Sequence, residues 1–191
     1  VRVIGGKAGG RILKVPKGLD VRPTPDLVKQ AVFNSLGGRV LDARVLELFG
    51  GSGALSLESL SRGAASALCV ELSAKHARHI RGNMEVTGVA SRFDLRVDDA
   101  LKSLNQLAEQ GRQFDLVMAD PPYGDKNVNR RSESFAQKLL DHPNLPTVMA
   151  PDGLFVLGHT KRDTLEIPAA LEEVKMLKHG DSIMRFFKKV V

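Results

Sequence analysis

From residue 44 onward the chain alternates short, almost wholly apolar runs with longer segments whose apolar residues recur every three or four positions. The runs are RVLELF, SALCVEL, FDLRV and FDLVMA. Segments of helical period follow them, after Gly53, from Ser73, after Asp99 and from about residue 132. This alternation predicts a βαβ series. Strands that are apolar almost throughout, rather than at every second position, belong to a parallel sheet with helices on both faces. The second helix is the most sharply bounded: Ser73 caps it, Ala77, Ile80 and Met84 share one face, and Gly88 stops it.

The two ends of the chain break this rhythm. VRVIGGKAGGRILKVP reads as two extended pieces around a glycine-rich turn, a hairpin with scattered basic side chains. RPTPDLVKQAVFNSL predicts a helix with Thr24 as cap and Pro25 at its first position. Leu27, Val28, Ala31, Val32 and Leu36 form its apolar face. At the other end, GLFVLGHT is followed by LEEVKMLKHGDSIMRFFKKVV, where His179, Gly180 and Asp181 mark a turn between two extended pieces. The expected architecture is therefore α/β. A hairpin-helix extension over residues 1–43 precedes a main domain over 44–191, and an antiparallel hairpin closes a mostly parallel sheet.

Charge adds a partner. The net charge of +6 lies wholly in the first 44 residues, which carry nine basic and three acidic side chains against 19 of each in the remainder. Such asymmetry is the footprint of a polyanion-binding extension. Arg2, Lys7, Arg11, Lys14 and Arg22 are its candidate phosphate contacts, joined by Arg130 and Arg131 in the loop DKNVNRRSES. No apolar run approaches 18 residues and no leader opens the chain, so a cytoplasmic protein without membrane contact is expected, and a monomer. Cys69, the single cysteine, sits in an apolar run and reads as a buried thiol. His76 and His79 stand three apart but lack a third ligand, so no metal site is expected.

Chemistry concentrates at the ends of the apolar runs. In doubly wound sheets ligands bind beyond the carboxyl ends of the strands, and ELFGGSG leads from such an end into a helix. Ser56 stands where a dinucleotide fingerprint would place its third glycine. Glu47 is ill placed for a diphosphate but suits a cationic ligand such as S-adenosylmethionine. Glu47, Phe49, Gly50, Gly51, Ser52 and Gly53 are thus candidate cofactor residues. Glu71 and Leu72 end the second strand, at the spacing that grips ribose hydroxyls. Asp98 or Asp99, with Ala100, ends the third, where a carboxylate can accept from an adenine amine.

The fourth run ends in DPPY. Asp120 faces the same crevice, while Pro121 and Pro122 lack N–H donors and leave carbonyls open. Tyr123, the only tyrosine, offers a ring on which a base can stack. An acceptor pair beside a stacking ring suits an exocyclic nucleobase amine, whose developing positive charge it stabilises during methyl transfer.

These residues carry a resemblance. DPPY resembles the amino-methyltransferase signature [DNS]-P-P-[YF], and ELFGGSGALSLESLSRGA resembles the first motif of class I S-adenosylmethionine methyltransferases. With VRVIGGKAGGRILKVP, RPTPDLVKQAVFNSL and KHGDSIMRFFKK, the chain resembles the RsmD-like bacterial 16S ribosomal RNA (guanine-N2)-methyltransferase family. The resemblance implies a seven-stranded sheet with a reversed last strand and the small ribosomal subunit, or an assembly intermediate of it, as partner. It implies that Gly50, Gly51, Ser52 and Gly53 approach S-adenosylmethionine, that Glu71 holds ribose, and that Asp99 and Ala100 meet adenine. Asp120, Pro121 and Tyr123 would hold guanine N2. Ala8, where a larger aromatic is common, and FNSLGG, in place of a bulkier ending, depart from the pattern. The rivals are a DNA adenine methylase, for which the chain is short, and a noncatalytic RNA-binding or assembly module.

Overall fold

The computed structural model describes residues 1–18 and 22–191. Seven strands form one sheet: β1 (Arg44–Leu48), β2 (Ser66–Glu71), β3 (Phe93–Val97), β4 (Phe114–Ala119), β5 (Met149–Thr160), β6 (Leu171–His179) and β7 (Ser182–Lys189). Their order is β3-β2-β1-β4-β5-β7-β6. The first five pair in parallel, and β7 inserts antiparallel between β5 and β6. The expected hairpin thus forms, with its second strand, not its first, against the body.

Helices α1 (Asp26–Leu36), α2 (Ala54–Ser61), α3 (Ala74–Thr87), α4 (Ala100–Glu109), α5 (Phe135–Leu140) and α6 (Leu145–Val148) cover both faces. One apolar layer joins α1, α2 and α3 to the sheet through Val32, Phe33, Leu57, Leu60, Ile80, Val45 and Met118. The other joins α4, α5 and α6 through Leu104, Leu107, Leu139, Val148, Leu46, Val117 and Phe155. Residues of β1 and β4 feed both layers, which is why those runs are apolar without alternation. Ser73 caps α3 by accepting from His76 N, and Gly88 ends it in the left-handed conformation.

At the N-terminus the two extended pieces meet in a single antiparallel bridge, Arg2 with Ile12. The expected cap on α1 is not made: Pro25 occupies the N-cap position, without a side-chain cap bond. Because Pro25 starts the helix one residue later than predicted, the Thr24 hydroxyl is turned elsewhere.

One carboxylate gathers several of the bonds that fix the extension to the body, beside those of Ser61 and Asn83. Glu58, buried on α2, accepts from Ile4 N at 2.8 Å and Gly5 N at 2.9 Å. It also pairs with Arg62 at 2.7 Å and with the fully buried Lys29 at 3.6 Å. Lys29 additionally donates to the Arg2 carbonyl. Burial lowers the Lys29 pKa, against the opposing pull of Glu58 and Asp26. Glu58→Ala takes this acceptor from two part-buried amides and the counter-charge from the buried Lys29 ammonium, and it should cost about 3–5 kcal/mol in unfolding free energy, measured by urea denaturation.

Candidate active site

The strand order reverses between β1 and β4, and a cavity of about 630 Å³ opens there at their carboxyl ends. That volume accommodates a cofactor-sized ligand. Its wall combines the loop after β1, the ends of β2 and β3, and the loop after β4. Glu47, Phe49, Gly50, Gly51, Ser52, Glu71, Leu72, Asp98, Asp99 and Ala100 line it, as do Asp120, Pro121, Pro122 and Tyr123. Gly53 shapes the loop from behind, in left-handed conformation with α2 beginning at the next residue.

Close approach explains the first glycine. A Cβ on Gly50 would lie 2.3 Å from Cys69 Sγ, so a side chain there would push the loop off β2. Phe49 holds φ at +58°, a region that bulky residues leave unless their surroundings compel it. Its ring packs against Phe135 at 5.2 Å between centroids.

The four acids are held by backbone amides. Glu71 accepts from Gly51 N at 2.7 Å through one oxygen and from Ser73 N at 2.9 Å through the other, with His76 Nδ1 at 3.4 Å. A carboxylate offers about four acceptor directions, so capacity for ribose hydroxyls remains. Asp99 caps α4 by accepting from Lys102 N at 2.8 Å, while Asp98 accepts from Asp99 N at 2.8 Å. Both border the cavity. Glu47 accepts from Ser56 N at 2.9 Å, so it also serves an otherwise unpaired amide of the first turn of α2. Burial pushes its pKa up to about 7.

Asp120 is recessed between two neighbours that sequence reasoning missed. Thr24 donates to Oδ2 at 2.6 Å, and a Cβ on Gly158 of β5 would lie 2.3 Å from Oδ1. Only glycine at 158 leaves space for the carboxylate. Burial pushes the Asp120 pKa up to about 6, opposed by the hydrogen bond from Thr24. Tyr123 remains 38% exposed, with the Arg22 guanidinium 5.9 Å from its ring centroid. Phe135, His76, Thr160 and Arg162 also line the cavity. Of these, His76 was legible only as half of an incomplete metal pair with His79, while Thr160 ends β5, whose end carries no motif, and Arg162 lies just beyond it.

The candidate phosphate contacts divide. Lys7, Arg11, Lys14, Arg22 and Arg130 are exposed. Arg2 is paired with Asp26 at 3.2 Å, and Arg131 with Asp141 at 2.8 Å and Glu166 at 3.0 Å. No group of three or more His, Cys, Asp or Glu able to hold a metal occurs among the described residues. No helix among them is long and apolar enough to cross a membrane.

The model of the family described as "Conserved hypothetical protein 95" matches residues 1–188. The chain belongs to this family. It is 29% identical over 192 residues to the "Putative rRNA methyltransferase YlbH" of Bacillus subtilis (strain 168), covering 99% of each chain. It is 37% identical over 123 residues to the "Ribosomal RNA small subunit methyltransferase D" of Escherichia coli (strain K12), an alignment spanning 64% of this chain and 60% of that one. Among solved structures, "Putative methyltransferase yhhF from Escherichia coli" superposes with a TM-score of 0.78 at 28% identity, covering 99% of this chain and 97% of that one. The fold is accordingly the Rossmann-like one of the methyltransferases, and the seven-stranded sheet with its antiparallel end is as expected.

The acids of the cavity weigh on stability in a defined pH window. With its pKa about 7 in the folded chain against 4.5 for the ordinary side chain, Glu47 keeps its proton while the unfolded chain loses it. Its stabilising contribution is full below pH 4.5 and lost as pH rises to about 7. Glu47→Gln should flatten that fall and raise unfolding free energy above pH 7 by about 3 kcal/mol, read from urea titrations across the window.

Proposed function

We propose that this protein transfers a methyl group from S-adenosylmethionine to the exocyclic N2 amine of a guanine in 16S ribosomal RNA of the small subunit. The observation that carries the reading is the placement of Asp120 and the Tyr123 ring in one cavity with the glycine loop and four carboxylates. The names of the relatives, rRNA methyltransferases in Bacillus subtilis and Escherichia coli, support the substrate class.

The residues fit the methyl donor. Glu47 meets a cationic ligand with negative charge, Glu71 stands where ribose hydroxyls need acceptors, and Asp98 or Asp99 accepts from the adenine amine. When bound, S-adenosylmethionine supplies an electrophilic methyl on a sulfonium that leaves as a neutral thioether. Asp120 and the Pro121 carbonyl accept the two N–H groups of the target amine. They hold its nitrogen toward the methyl and stabilise the positive charge that develops there. Asp120 is the nearest acceptor for the proton released. Tyr123 supports the ring of a base that has left its stack.

The Thr24 hydroxyl fixes the carboxylate's rotation and holds it closer to the ionised form. Ionised Asp120 is the competent form, so kcat/KM should fall as pH drops through about 6. Thr24→Val removes the hydrogen bond that favours ionisation and should move this limb to higher pH. Asp120→Ala should lower turnover roughly 10²–10³-fold, and near-normal turnover by that variant would overturn the mechanism. The assignment itself is tested by offering undermethylated 30S subunits and naked 16S rRNA with labelled donor, then identifying the modified nucleoside. Label in an adenosine, or none in RNA, would reject it.

A further inference from the structure

Helix α3 carries its charges in the order least favourable to its own stability. Lys75 stands in the first turn, at the positive end of the helix dipole, and Glu85 stands in the last turn, at the negative end. Lys75, Arg78 and Arg81 follow one another at i, i+3 spacing, where like charges repel. All three are exposed, on the side opposite the buried Ala77, Ile80 and Asn83. None of them forms an ion pair among the described residues.

The buried side of the same helix ties it to both the extension and the cavity. The Asn83 amide accepts from Lys14 N at 2.8 Å and donates to the Lys14 carbonyl at 2.9 Å, clamping the basic segment along the helix. The same Nδ2 donates to the Ser52 carbonyl of the glycine loop at 2.9 Å. Within the first turn of the helix, His76 borders the cavity itself. The exposed cations of the extension, those of α3 and the mouth of the site are therefore held in one fixed arrangement. Within it, Arg2 and Arg131 are already neutralised by their own carboxylates, whereas the α3 cations are not.

We infer that the exposed face of α3, through Lys75, Arg78 and Arg81, is a phosphate-binding track for the RNA strand that delivers its base to the cavity. The inference rests on the proposed function for the identity of the polyanion. Charges that repel one another and oppose the dipole become favourable once phosphates lie along them. Lys14, held to the same helix through its backbone by Asn83, and His76, at the cavity, fix where this track stands relative to the extension and the mouth.

The test is the combined variant Lys75→Ala, Arg78→Ala and Arg81→Ala, titrated with transcribed 16S rRNA over a series of salt concentrations. The slope of log affinity against log salt should flatten by about 2–3, with affinity at low salt reduced at least tenfold. The thermal midpoint should stay level or rise, because repulsion is relieved and alanine favours helix. Binding of S-adenosylmethionine by calorimetry should be unchanged. A control removing Lys175 and Lys178, exposed on β6 at the far end of the sheet, should keep the wild-type slope. An unchanged slope in the α3 variant, or an equal loss in the β6 control, overturns the inference. Should the wild type bind this RNA with the predicted slope but transfer no methyl group to it, the proposed function falls and the track stands. If the wild type binds no RNA, both fall.

Discussion

The pairing of β1 with β4 is the constraint on which the rest of the site depends. Leu48 lies opposite Ala119 in parallel register, so the next residues on each strand, Phe49 and Asp120, leave the sheet side by side. The glycine loop and the DPPY loop meet because of this pairing. A one-residue slip would turn Asp120 toward a helix layer and bury an unpaired carboxylate. The register is held by apolar side chains entering both layers, with Leu46 and Val117 on one side and Val45 and Met118 on the other. Core packing and chemistry are thus specified by the same residues.

A second dependence runs from the extension to the carboxylate. Glu58 gathers the amides of Ile4 and Gly5, the guanidinium of Arg62 and the ammonium of Lys29, while Val3, Ala8 and Leu13 enter the same apolar layer as α2. The chain between this anchor and α1 returns to the cavity mouth at Arg22 and Thr24. There it touches Tyr123 and Asp120. A basic segment suited to a polyanion is consequently in mechanical contact with the group proposed to hold the target amine. Neither the anchor nor the contact is visible as a motif, because Ile4 and Gly5 lie more than fifty positions from Glu58, and Thr24 lies 96 from Asp120.

How much was legible follows from the range of the interactions. The strands, helices and C-terminal hairpin were readable because apolar period and caps such as Ser73 act within a few residues. The glycine loop and DPPY were readable because a strand end, a donor-free dipeptide and a lone tyrosine have local meaning. Thr24 was misread as a helix cap: its neighbours satisfy the local pattern, but Pro25 takes that position and leaves the hydroxyl free for Asp120. Gly158 was invisible because its requirement is set by Asp120, on another strand. The pairing of Arg131 was equally hidden, since Asp141 and Glu166 reach it from α5's end and from beyond β5.

The site holds several features that work against the folded chain: Glu47 and Asp120 buried with raised pKa, Phe49 at positive φ, and a helix charged against its dipole. In a molecule stable by only some 5–15 kcal/mol, each is a substantial charge on the total. Glu47, Asp120 and Phe49 line one crevice, and α3 borders it through His76. A cationic donor at Glu47 would offset its desolvation, an amine at Asp120 would add an N–H donor to the Thr24 hydroxyl, and phosphates on α3 would offset its repulsion. All three conflicts would be eased by the ligands of the one proposed reaction: its donor, its target base and the strand that carries it.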